Sequence, residues 1–195
     1  MSKIFAEIVS LILDPLVVLI PVPFFLIYEK TSNLFLSFIW SGISMFFILL
    51  YFLFVFVGVK LGIFTDLDLS KREQRPLAFL VGLLLTISYL ILLFLLHAPG
   101  ILQIGTFALI LGVVIIAIAN MFTKVSWHMA VLSAFLTSIL LIEGWKVLPG
   151  FFLLPLVAWA RIKTKNHTLF QTILGSSIGI LTTIIFYVIV KNIIK

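Results

Sequence analysis

The chain has no cysteine and very little charge. Without a thiol, disulfide staples, thiolate metal centres and cysteine nucleophiles are excluded. Charged residues make up 10% of the 195 positions, where soluble domains carry about 25%. That scarcity excludes a water-soluble globule, and the apolar content excludes a disordered or collagen-like chain. A long basic tail is also missing. The net charge of +6 sits in short loops, which points away from nucleic acid and toward anionic lipid head groups or a phosphate-bearing substrate. What is abundant is apolar. Hydrophobic residues reach 63%, with a mean hydropathy of +1.34. No Asp, Glu, Lys or Arg lies between Thr31 and Val59, between Pro76 and Thr123, or between Asn166 and Val190.

Charge-free runs longer than about 18 residues read as membrane spans, and backbone groups that must bond internally in hydrocarbon make them helices. The expected fold is all-α: one polytopic helical bundle over 1–195 with six to seven transmembrane helices. The spans are placed near 8–28, 34–62, 76–97, 101–121, 126–145, 147–160 and 168–191. Pro15, Pro21 and Pro23 should break the first. The turn His97-Ala98-Pro99-Gly100 should make the third and fourth a hairpin. The sixth, with 14 residues, rises only about 21 Å against a hydrocarbon core of roughly 30 Å. It crosses only if Arg161 sits at depth in a polar cavity. Glu7, Asp14 and the lack of a small-residue cleavage site argue against a cleavable signal peptide.

Seven spans sort the loops onto two sides. Side A carries Lys3, Lys60, Lys71, Arg72, Arg75, Lys124, Arg161, Lys163 and Lys165. Side B carries Lys30, Lys146, Lys191 and Lys195. The positive-inside rule makes side A cytoplasmic in a cell membrane. Setting aside Arg72, Arg75, Lys124 and Arg161 as substrate-binding candidates leaves five against four.

Three side-A segments bring more polar groups than a connection requires. They are Thr65-Asp66-Leu67-Asp68-Leu69-Ser70-Lys71-Arg72-Glu73-Gln74-Arg75-Pro76, Lys124-Val125-Ser126-Trp127-His128, and Arg161-Ile162-Lys163-Thr164-Lys165-Asn166-His167 followed by Gln171. Arginine binds phosphate bidentately, and histidine serves as nucleophile or general acid near neutral pH. The ordinary readings stand beside this one. Lys3, Lys163, Lys165, Lys191 and Lys195 read as topology determinants. Asp66, Asp68 and Glu73 read as caps or partners of Lys71 and Arg72. Glu143 and Lys146 form an interfacial pair, His97 is interfacial, and Gly175 with Gly179 is a small-x3-small packing pattern.

In order along the chain, Arg75-Pro76, Ser126-x-His128 and Arg161-x5-His167 resemble the three motifs of the type 2 phosphatidic-acid phosphatase superfamily, over about residues 66–180. Its pattern is Lys-x6-Arg-Pro, Pro-Ser-Gly-His and Ser-Arg-x5-His-x3-Asp. Here Asp68 replaces the motif lysine, so Lys71 or Arg72 must take its role. Val125 and Trp127 replace the proline and glycine, Ala160 the serine, and Gln171 the final aspartate. The chain is similar to a divergent branch.

The resemblance implies a hydrolase of lipid metabolism acting on a phosphate or diphosphate monoester of a lipid: an isoprenyl diphosphate, phosphatidic acid or phosphatidylglycerol phosphate. His167 would be the nucleophile, forming a phosphohistidine, and His128 the general acid. Gln171 would orient His167. Arg75 and Arg161, with Arg72, Lys71 and Ser126, would bind phosphate. No metal and no cofactor are implied. Two other readings compete. One is a non-catalytic lipid-binding or transport protein on the same scaffold. The other is a Mg²⁺-dependent intramembrane prenyl or alcohol phosphotransferase, which needs more acids than Asp66 and Asp68.

Overall fold

A computed structural model describes residues 2–193, and every regular element among them is helical. Lys195, one of the side-B cations, lies outside the described residues. Five helical segments are long and apolar enough to cross a membrane: Leu34–Lys60, Arg72–Leu95, Gly100–Phe122, Trp127–Lys163 and Leu169–Asn192. The bent pair Lys3–Leu19 and Val22–Thr31 makes six if it counts as one span. The chain divides into two compact units, Leu19–Ala117 and Met1–Val18 with Ile118–Lys195.

The expected first span is broken where its prolines fall, into α1 (Lys3–Ile12), α2 (Pro15–Leu19) and α3 (Val22–Thr31). Proline lacks the backbone donor that a continuing helix requires.

In the Leu19–Ala117 unit, α3 turns back onto α4 (Leu34–Lys60). Ser32 takes a left-handed conformation, and Asn33 Oδ1 caps α4 by accepting from Leu36 N at 2.9 Å. Asparagine is favoured at such a cap because it satisfies one of the donors a helix start leaves open. Then come α5 (Arg75–Leu95) and α6 (Gly100–Phe122), joined by a turn in which Ala98 N donates to Leu93 O. Ile27, Trp40, Tyr89, Leu93, Ala98 and Leu102 form one core of this unit. A second core is Val55, Phe64 and Ala78. Phe64 anchors the connection 61–74 by lying against Gly58, where an added Cβ would meet its ring at 2.4 Å.

The other unit is built on α7 (Trp127–Glu143). The helical run Trp127–Lys163 covers 37 residues and as one rod would reach about 55 Å. It cannot be one rod, because Lys124 Nζ donates to Asn166 O at 2.6 Å across its two ends. The reversal is at Gly144, φ +73°, and Gly150 lies against Leu136. The return arm is a 3-10 segment, Gly144–Phe152, followed by α8 (Leu153–Lys163). A 3-10 segment rises about 2.0 Å per residue, so the arm spans roughly 34 Å where a 14-residue α-helix would span about 21 Å. The arm is thus longer than the apolar run 147–160 placed as a sixth span, and it ends beyond Arg161 at Lys163.

Last is α9 (Leu169–Ile193), which runs beside α7 in the same direction. Ser126 N donates to Gln171 O at 3.3 Å, and Ser133 Oγ donates to Ser176 O at 3.1 Å. An added Cβ on Gly175 would lie 2.5 Å from Ser126 O, and one on Gly179 2.2 Å from Ala130 O. Among lipid tails, helices associate through close packing and hydrogen bonds, and small residues permit that approach.

Candidate functional site

Both α7 and α9 begin at the same end of their unit, and α8 finishes there. That end collects Ser126, His128, Arg161, His167 and Gln171 of the sequence-derived candidates. The other three, Arg75, Arg72 and Lys71, belong to the Leu19–Ala117 unit.

Arg161 and His167 are tied through the backbone. Asn166 N and His167 N both donate to Arg161 O at 3.1 Å, and Thr164 N donates to Ala160 O at 3.0 Å. The wrap closes because Lys165 adopts φ +61°, a conformation that costs an L-residue with a Cβ about 1–2 kcal/mol. The Arg-x5-His spacing is therefore the spacing of one helix-ending turn. It leaves Arg161 1% and His167 7% exposed. Burying a guanidinium is costly without partners, so these residues are a specified feature of the fold.

Next in the chain, Thr168 and Gln171 form a capping box at the start of α9. Gln171 N donates to Thr168 Oγ1 at 3.3 Å, and Thr168 N donates to Gln171 Oε1 at 3.2 Å. Reciprocal bonding of this kind satisfies two donors of the first helical turn. It also identifies the Gln171 oxygen, because a backbone N–H can only meet an acceptor. The same Oε1 lies 3.1 Å from His167 Nδ1. An amide oxygen accepts, so Nδ1 carries the hydrogen and the neutral ring keeps its lone pair on Nε2. Gln171 thus serves the helix start and the imidazole with one atom.

At the start of α7, Ser126 is the N-cap residue without a capping bond from its side chain. Its Oγ is fully buried and makes no hydrogen bond among the described residues. Two residues on, His128 is 5% exposed. Its Nε2 lies 3.2 Å from Ser10 O and 3.5 Å from Asp14 Oδ2. Both are acceptors, so Nε2 carries hydrogen. The sequence treats Asp14 only as a charge against a signal peptide. Its signal was that of an acid set inside an otherwise apolar run, where ionisable groups are seldom idle. Lys124 bonds the Asn166 carbonyl and so braces the turn that holds His167.

In the Leu19–Ala117 unit, the connection before α5 is ordered by its own polar groups. Asp66 Oδ1 accepts from Ser70 N at 3.1 Å, and Gln74 Oε1 accepts from Thr65 N and Oγ1 at 3.1 Å each. Arg75 opens α5 with Pro76 behind it and is 5% exposed. Its Nε donates to Leu69 O at 2.9 Å, which ties the guanidinium to the loop. Lys71 is exposed and Arg72 partly so.

Comparison of the chain with protein-family models, with curated proteins and with solved structures finds no match.

Proposed function

We propose that the protein is an integral-membrane lipid phosphatase that hydrolyses a phosphate or diphosphate monoester of a lipid through a phosphohistidine. The observation that supports this reading best is the state of His167. It is buried, held by Gln171 with its hydrogen on Nδ1, and tied through the Arg161 carbonyl to a buried guanidinium. A neutral imidazole so oriented presents Nε2 as a nucleophile, and a guanidinium is the side chain best suited to a phosphoryl group.

In the first step, His167 Nε2 forms a bond to phosphorus while the bond from phosphorus to the leaving oxygen breaks. That oxygen, a lipid alkoxide or a lipid monophosphate, takes a proton from His128. In the second step water attacks phosphorus, the P–N bond breaks, and His128 takes the proton of the water. Arg161 offsets charge on the non-bridging oxygens through both steps. Ser126, with a buried hydroxyl at the start of a 17-residue helix, adds a donor and the positive end of the helix. Arg75, Arg72 and Lys71 keep their phosphate-binding assignment on the strength of the motif resemblance, and the reaction as written requires no metal.

The test is phosphate release by purified protein in detergent. The substrates are phosphatidic acid, phosphatidylglycerol phosphate and an isoprenyl diphosphate, with His167→Ala as control. Release by the wild type and its loss in the variant are expected, with an acid-labile ³²P adduct on His167. No release from any of the three would refute the enzyme reading and leave the lipid-binding one.

A further inference from the structure

We infer that Asp14 is a positioning residue for His128, and that the break between α1 and α2 exists to deliver it. The inference rests on the phosphatase reading for its chemistry, though its geometry stands apart from that reading. The chain leaves α1 at Ile12, and Asp14 precedes Pro15, the first residue of α2. Asp14 Oδ1 accepts from Leu16 N at 2.9 Å, which is ordinary helix capping. The cap uses one carboxylate oxygen. The other, Oδ2, lies 3.5 Å from His128 Nε2, and Ser10 O, one helical turn earlier, lies 3.2 Å from the same nitrogen.

An unbroken α1 would bond residue 14 N to the Ser10 carbonyl; at the break Asp14 N donates to Leu11 O at 3.3 Å instead. The Ser10 carbonyl and the Asp14 carboxylate thus meet at one nitrogen of His128. His128 is buried at the start of α7. An imidazole that donates and regains a proton in such surroundings is held in one tautomer, and its cation supported, by two acceptors on Nε2. A carboxylate does this far better than a carbonyl alone, because it carries the charge opposite to the one that develops. Gln171 gives His167 an acceptor without charge; Asp14 gives His128 an acceptor with charge. The division suits the two roles, since a general acid must be cationic before it acts and a nucleophile must be neutral.

Asp14→Asn tests this, because asparagine caps a helix as well as aspartate does and removes only the charge. Turnover is measured on phosphatidic acid, whose alkoxide needs a proton to leave, and on p-nitrophenyl phosphate, whose phenolate does not. The expected result is a loss of about 10–100-fold in kcat for phosphatidic acid, drawn from the range a general acid contributes. Loss on p-nitrophenyl phosphate should be at least several-fold smaller, with KM and melting temperature little changed. Equal loss on both substrates, or no loss, overturns the inference. A second measurement does not depend on activity. In ¹⁵N-histidine-labelled protein, the His128 ring resonances, assigned with His128→Ala, should move in Asp14→Asn while those of His97 stay. Unmoved His128 resonances overturn the inference. Wild-type inactivity with moved resonances refutes only the phosphatase reading.

Discussion

Replacing Gln171 with Glu changes an amide nitrogen to an oxygen and almost nothing else, yet it alters the charge facing the proposed nucleophile. The capping box survives, since Ser/Thr-x-x-Glu serves as well as Ser/Thr-x-x-Gln. The bonds from Thr168 N at 3.2 Å and to His167 Nδ1 at 3.1 Å both use Oε1, which glutamate retains. A hydrogen bond to a charged acceptor contributes about 1.5–3 kcal/mol against about 1 for a neutral one. The gain is realised as positive charge grows on the ring during attack, so about 1–1.5 kcal/mol should come off the barrier. At 1.36 kcal/mol per tenfold, this raises kcat roughly 5–13-fold. A carboxylate in the first turn of α9 also opposes the helix dipole favourably by about 0.3–1 kcal/mol, so the melting temperature should hold or rise. Gln171 is only partly buried, which keeps the desolvation of the new charge small. The assay is steady-state phosphate release in detergent beside a thermal melt. Gln171→Asp, one carbon shorter, should gain less or change nothing. A tenfold or larger fall in kcat for Gln171→Glu with an unaltered melt would show that charge beside His167 is harmful, and the orienting role would be wrong.

Gly175→Ala and Gly179→Ala should each destabilise the α7–α9 pair by about 1–3 kcal/mol, because the new methyl meets a backbone carbonyl at 2.5 or 2.2 Å. Gly112→Ala, with nothing within 4 Å of the new Cβ, should be neutral or stabilising by up to about 1 kcal/mol; equal melting shifts at all three positions would contradict the close approach. Lys165→Gly should stabilise by up to about 1 kcal/mol by relieving the left-handed backbone at φ +61°, and a lower melting temperature would refute the strained turn. Arg161→Lys removes a planar fork that lysine cannot imitate and should lower kcat/KM by about 10–100-fold, the equivalent of one lost charged hydrogen bond; activity within twofold of wild type would remove Arg161 from phosphate binding.

Helices were legible because hydrocarbon leaves the backbone no alternative; their number was less so, since seven spans were placed and five or six of the described helical segments are long and apolar enough to cross. Runs without charge dictated them, and the prolines near residues 15–23 dictated where the first would break. Length was less legible. The return arm looked too short at 14 residues chiefly because its helical stretch, Gly144–Lys163, runs past the apolar residues at both ends, and its 3-10 part adds about 0.5 Å per residue. The small-x3-small pair at Gly175 and Gly179 was visible as a pattern, but its partner surface on α7 was not.

For the candidate site, the residue types and their order were in the sequence. Why Arg161 stands six residues before His167 was not, because that spacing is set by two backbone donors converging on one carbonyl around a left-handed lysine. Nor was Asp14. Its partner His128 is 114 positions away in the chain, and only the packing of α1 onto the unit brings a carboxylate to that nitrogen. Sequence determined that the chain folds into apolar helices that fit a multi-pass membrane protein. Tertiary structure decided which acceptor faces each imidazole, because hydrogen bonds act over about 3 Å and no spacing along a chain fixes a distance that short between segments so far apart.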